Sequence, residues 1–120
     1  MIKSVLPPVL AHYFEGDEAH WQLQVPVDYP AFAGHFPGYP VLPGVVQLDW
    51  AIRFGCQQFG YQTAVAQLEV LKFQQLIQPG MQVLLSIQHL AEKRKLQFSF
   101  SAGEQRFASG RIAFALQERT

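Results

Sequence analysis

The sequence predicts an α+β fold in which an antiparallel sheet of about five or six strands wraps around one long helix. Three observations predict it. A single stretch carries apolar residues at three- and four-residue spacing, through Val45, Leu48, Ile52, Cys56 and Phe59. Elsewhere, apolar and polar residues alternate in short runs separated by Gly, Pro and charged turns. The helical stretch is also apolar on several sides at once, since Trp50, Ile52 and Phe54 point in different directions around it. A helix of that kind is enclosed by other structure.

In chain order, His20–Val25 alternates Trp21, Leu23 and Val25 against polar neighbours and reads as a half-buried strand. Tyr29 to Tyr39 is punctuated by Pro30, Gly34, Pro37 and Gly38, which predicts a structured loop with at most a short turn of helix. Pro43 suits the first helical position, where its missing N–H costs nothing. Gly60 is a natural stop, so the helix is expected over Pro43–Phe59. Val65–Ile77 reads as a long, imperfectly alternating strand ending at the turn Pro79-Gly80. Met81, Val83, Leu85 and Ile87 form the next strand, and Leu96, Phe98 and Phe100 the one after. Phe107 is out of phase with Ile112, Phe114 and Leu116, which places a bulge near Ser109-Gly110. Without an internal repeat or a linker, residues 1–120 read as one domain.

Nine basic residues balance nine acidic ones, so charge offers no reason to expect nucleic acid as a partner. The run Lys93-Arg94-Lys95 is expected to be a solvated turn. Cys56 is the only cysteine, which excludes an internal disulfide and a cysteine-based metal site. MIKSVLPPVLAHYF is interrupted by Pro7-Pro8 and does not read as a signal peptide. No run approaches the ~20 apolar residues of a membrane span. A cytoplasmic setting with no membrane association is the expectation.

Two residue types stand out chemically. Apart from Arg53, Asp49 is the only charged residue between Pro43 and Gly60, and helical spacing puts it on a face with Val45 and Ile52. Loss of hydration there favours the protonated form of a carboxyl, and a protonated acid can donate to a leaving hydroxyl. The simpler alternative is an i, i+4 ion pair with Arg53. His35 is the second. Unlike His12, His20 and His89, which read as structural, it sits in a stretch stiffened by Gly34, Pro37 and Pro40. A neutral imidazole held at a set angle suits proton abstraction. Gly44 completes the group. First-turn N–H groups of a helix lack internal partners, and a glycine leaves such a donor open to a ligand oxygen. Close packing is the other reason for a glycine there.

His35-Phe36-Pro37-Gly38-x-Pro40-Val41-x-Pro43-Gly44-Val45, followed by Asp49, resembles the signature of the β-hydroxyacyl-(acyl carrier protein) dehydratases, the FabA/FabZ-like enzymes with the hot-dog fold. A weaker likeness, from Lys72-Phe73 through Pro79-Gly80 and the closing strands, extends it over most of the chain. The resemblance implies that His35 removes the C2 proton of a 3-hydroxyacyl thioester while Asp49 protonates the departing C3 hydroxyl. The Gly44 N–H would bind the thioester oxygen, with Pro43 and Val45 flanking it as substrate-binding residues. It implies acyl carrier protein as partner, no cofactor or metal, and a homodimer or higher homo-oligomer with the site at the subunit interface; a heterodimer is the variant. The sixteen aromatic residues are compatible with an acyl tunnel, though core packing explains most of them.

The pattern is mixed in detail. The dehydration-only branch of the family usually carries Glu at the Asp49 position, whereas Pro37 follows that branch. Gln47 and Arg53 stand where apolar and amide residues are usual. The short form looks like the stand-alone dehydratases of aryl-polyene clusters. Two other readings compete: a hot-dog acyl thioesterase, and a non-catalytic acyl-binding or heterodimer partner kept open by Arg53 beside Asp49. On the first, thioester hydrolysis has no use for a C2 base.

Overall fold

Six strands and one long helix make up the computed structural model, which describes residues 5–28, 41–62 and 65–115. In chain order they are β1 (Val9–Glu15), β2 (Glu18–Gln24), α1 (Gly44–Phe59), β3 (Val65–Phe73), β4 (Gln82–Leu90), β5 (Lys95–Ala102) and β6 (Gln105–Phe114). They form one sheet in the order β1-β2-β4-β5-β6-β3, with every neighbouring pair antiparallel.

Alternation builds the core. Trp21 and Leu23 of β2, Val83, Leu85 and Ile87 of β4, and Leu96, Phe98 and Phe100 of β5 are all buried. The helix buries Val46, Trp50, Ala51, Ile52, Phe54 and Cys56, apolar residues spread around most of its circumference. It ends where expected, at Gly60 in the left-handed region (φ 79°), whose N–H donates to the Cys56 carbonyl. Among the described residues no helix is long and apolar enough to cross a membrane.

Helix and sheet pack closely at Gly55. A Cβ there would lie 2.6 Å from Leu96 Cδ1 and 3.2 Å from Ile87 Cδ1, and both neighbours are fully buried and cannot yield into solvent. Gly55→Val is therefore expected to destabilise the protein by about 3 kcal/mol, the upper end of overpacking costs. An unchanged urea midpoint would contradict this packing.

Four details differ from the sequence reading. The helix starts at Gly44, because Pro43 is extended (φ −61°, ψ 147°) and serves as its N-cap. The strand expected over Val65–Ile77 stops at Phe73, after which the N–H groups of Gln74 and Gln75 turn to the Phe107 carbonyl. Strand β1 was not foreseen: all seven of its residues are exposed, so no alternation marks it. The bulge lies elsewhere too. β6 pairs regularly with β5 through Ser109 and Gly110; the register slips at Phe107, between the pairs Phe100↔Ala108 and Ser101↔Arg106. A second irregularity sits across from Gly110 in β3, where Val70 has a positive φ of 52°.

The basic run is also more integrated than a solvated turn. Lys95 Nζ bonds Glu69 Oε1 at 3.0 Å, which holds the Glu69 carboxyl below its usual range. Arg94 donates to the Ala115 carbonyl and lies over the Tyr61 ring.

Candidate active site

The site expected from the sequence centres on the start of α1. Its approach is pinned at Leu42, whose N–H donates to the Ile77 carbonyl at 2.7 Å. The Pro43 carbonyl then accepts from the N–H groups of Val46 (3.0 Å) and Gln47 (3.1 Å). Among the described residues no recorded backbone bond engages the Gly44 or Val45 N–H, in keeping with the open donors of a first helical turn. Glycine at 44 also has a packing reason. A Cβ there would stand 3.0 Å from Phe73 Cζ, so the aromatic ring of β3 lies against the head of the helix. Val45 is 60% exposed, on the outside of this turn.

Asp49 is buried, 5% exposed, and shares its side of the helix with buried Ile52. Arg53 does not point away from it, as an acid that donates a proton would favour. Arg53 Nη1 reaches Asp49 Oδ2 at 3.4 Å, one helical turn along. This distance is long for a charge-assisted bond, which shortens to ~2.7–2.9 Å when tight. The Arg53 side chain remains about a third exposed (32%) and lines a cavity of about 490 Å³ with Cys56, Gln57, Tyr61 and Gln62. The pair is thus a loose one, between a buried carboxyl and a part-exposed arginine.

His35 and its neighbours from Gly34 to Pro40 lie outside the described residues, as does the expected loop from Tyr29 to Tyr39. The described part of the site thus brings together Pro43, Gly44, Val45 and Asp49 on the first turns of α1. The other histidines are occupied elsewhere. His20 Nδ1 meets Ser86 Oγ at 2.8 Å, His89 Nε2 meets the Tyr61 hydroxyl at 2.8 Å, and His12 stacks on Trp21. Burial pushes the Cys56 thiol up to about 11, which leaves it a poor nucleophile at neutral pH.

Gln47 stands where an apolar residue is usual, and the sequence alone gives it no task. It is 4% exposed, and its Nε2 donates to the Leu42 carbonyl at 3.0 Å. A lone amide on an otherwise apolar turn was the available signal.

Comparison with known proteins bears on the whole arrangement. The family model described as "ApeI-like: ApeI dehydratase" matches residues 11–111. A 3-hydroxyacyl-[acyl-carrier-protein] dehydratase FabZ of Desulfotalea psychrophila is 32% identical over 60% of this chain and 54% of its own length. The Vibrio cholerae protein of the same name is 31% identical over 78% of this chain and 72% of its own. The chain spans about half the length of the first curated relatives it matches. Among solved structures, the dehydratase heterocomplex ApeI:P from Xenorhabdus doucetiae contains a chain that superimposes with a TM-score of 0.84 at 30% identity, covering 91% of this chain and 97% of that one.

Proposed function

The chain belongs to the ApeI-like dehydratase family, and from that premise we propose that it converts 3-hydroxyacyl thioesters, carried on acyl carrier protein, to trans-2-enoyl thioesters. The observation that carries the proposal is a buried carboxyl, Asp49, one and a half turns along an apolar helix whose first turn opens at Gly44. His35 takes the C2 proton, and the electron pair left behind forms the C2=C3 bond. The C3–O bond breaks, and the hydroxyl leaves as water with the proton of Asp49. Negative charge building on the thioester oxygen is met by the Gly44 N–H, with Pro43 and Val45 lining the approach. The proton balance closes when His35 gives its proton to solvent and Asp49 regains one.

A paired assembly fits the sheet. Strand β3 is an edge strand, and Leu68, Val70, Leu71 and Phe73 along it are all exposed. Such an apolar edge calls for a cover. Two copies joined along β3 would complete a dimer whose seam reaches Phe73 and therefore Gly44. The family signature implies that Asp49 of one copy works with His35 of the other.

Purified protein incubated with short 3-hydroxyacyl and 2-enoyl thioesters tests the reading, with enoyl absorbance and free thiol recorded together. Absorbance change without thiol is expected. Thiol release would indicate a thioesterase. Silence would favour the non-catalytic partner, the reading supported by the Asp49–Arg53 contact. Because that contact is long and the arginine part-exposed, Arg53→Ala should leave kcat within about tenfold, or 1.4 kcal/mol. A larger loss would make the guanidinium part of the site.

A further inference from the structure

We propose that Gln47 is a positioning residue whose side-chain amide fixes the backbone from Leu42 to Gly44, and with it the direction of the Gly44 N–H. What that N–H binds rests on the dehydratase reading; the clamp itself does not. Gln47 holds two successive carbonyls, Leu42 through its side-chain Nε2 (3.0 Å) and Pro43 through its backbone N–H (3.1 Å). Leu42 is held from the other side as well, by its N–H to the Ile77 carbonyl.

The direction of an N–H follows from the plane of the peptide it belongs to. The Leu42–Pro43 plane is set by the bond from Gln47 Nε2, and the Pro43–Gly44 plane by the bonds from the Val46 and Gln47 N–H groups. Between the two planes the proline ring locks φ. Both planes are therefore held, and the Gly44 N–H has one direction although glycine itself is free to turn. Without the Gln47 side chain the first plane loses its anchor, and the Pro43–Gly44 plane is left to its two backbone bonds alone.

A second observation separates this role from ordinary packing. Gln47 Oε1 is buried and, among the described residues, has no hydrogen-bond partner. A buried acceptor left unmatched is unfavourable, and a methionine or leucine of similar size would avoid it. The acceptor therefore gives no reason for an amide at this position; the donor, through its bond to the Leu42 carbonyl, does.

The test uses the full chain with Gln47→Met and, as a second variant in case the first folds poorly, Gln47→Leu. Amide hydrogen exchange at residues 42–46 should be about tenfold faster or more, with the amides of Phe98 and Phe100 in β5 unchanged. With an enoyl-forming substrate, kcat should fall about tenfold while KM stays within about twofold, as expected for a donor that acts in the transition state. Unchanged exchange at 42–46 would overturn the proposal. So would exchange that quickens equally across β5, which marks a merely structural residue. Should the wild type form no enoyl product, the dehydratase reading fails, while the exchange result still decides the clamp.

Discussion

Replacing His35 by Asn is expected to lower enoyl formation by about 10²–10⁴-fold, the usual contribution of a positioned general base. Asn keeps a polar side chain of similar reach but cannot accept and hold the C2 proton. Pro37 and Pro40 restrict the chain through the backbone, whatever side chain stands at 35. The variant should therefore fold, dimerise and melt like the wild type. Steady-state turnover of a 3-hydroxyacyl thioester, measured beside thermal unfolding, checks both halves. Unchanged turnover would remove His35 from the chemistry.

Asp49→Asn should be comparably damaging, again about 10²–10⁴-fold in kcat. The amide has the same shape and can accept a bond from Arg53 as the carboxylate does, so the burial of residue 49 among the helix side chains is preserved. It can also hold the C3 hydroxyl of a substrate. It cannot release a proton to the departing oxygen, so the C–O bond must break towards a far poorer leaving group. KM should change little, because binding does not need the proton. A variant that keeps more than a tenth of wild-type kcat would show that another group supplies it.

Much of this architecture is written in periodicity. The helix Gly44–Phe59 and the strands β2, β4 and β5 are legible because one buried side forces the apolar residues into register, at 3.6 or 2 residues. Strand β1 is not, since an edge strand exposed on both faces has no such constraint. Its hairpin partner offered a clue: Gly16-Asp17 lies between two strand-like runs, and Gly16 has a φ of 62°. The displaced bulge follows the same logic. The phase slip in β6 was readable from Phe107 against Ile112, but the slip alone does not say which residue is the extra one. In the site, residue types at fixed spacing suggested the chemistry of Asp49 and Gly44. The rotamer of Arg53 and the clamp from Gln47 to Leu42 were not readable, because they depend on where long side chains settle after the backbone has closed around them.

The proposed reaction moves a proton at C2 and water at C3 of an acyl thioester. Running the reaction backwards in heavy water tests it most directly. Wild-type protein would be incubated with a trans-2-enoyl thioester in D₂O and the product analysed by mass spectrometry after return to ordinary water. The expected product is a 3-hydroxyacyl thioester that retains a single deuterium on C2, with the thioester intact and the label absent when the His35→Asn variant is used. Free thiol with no deuterium on carbon, or no product at all, would contradict it.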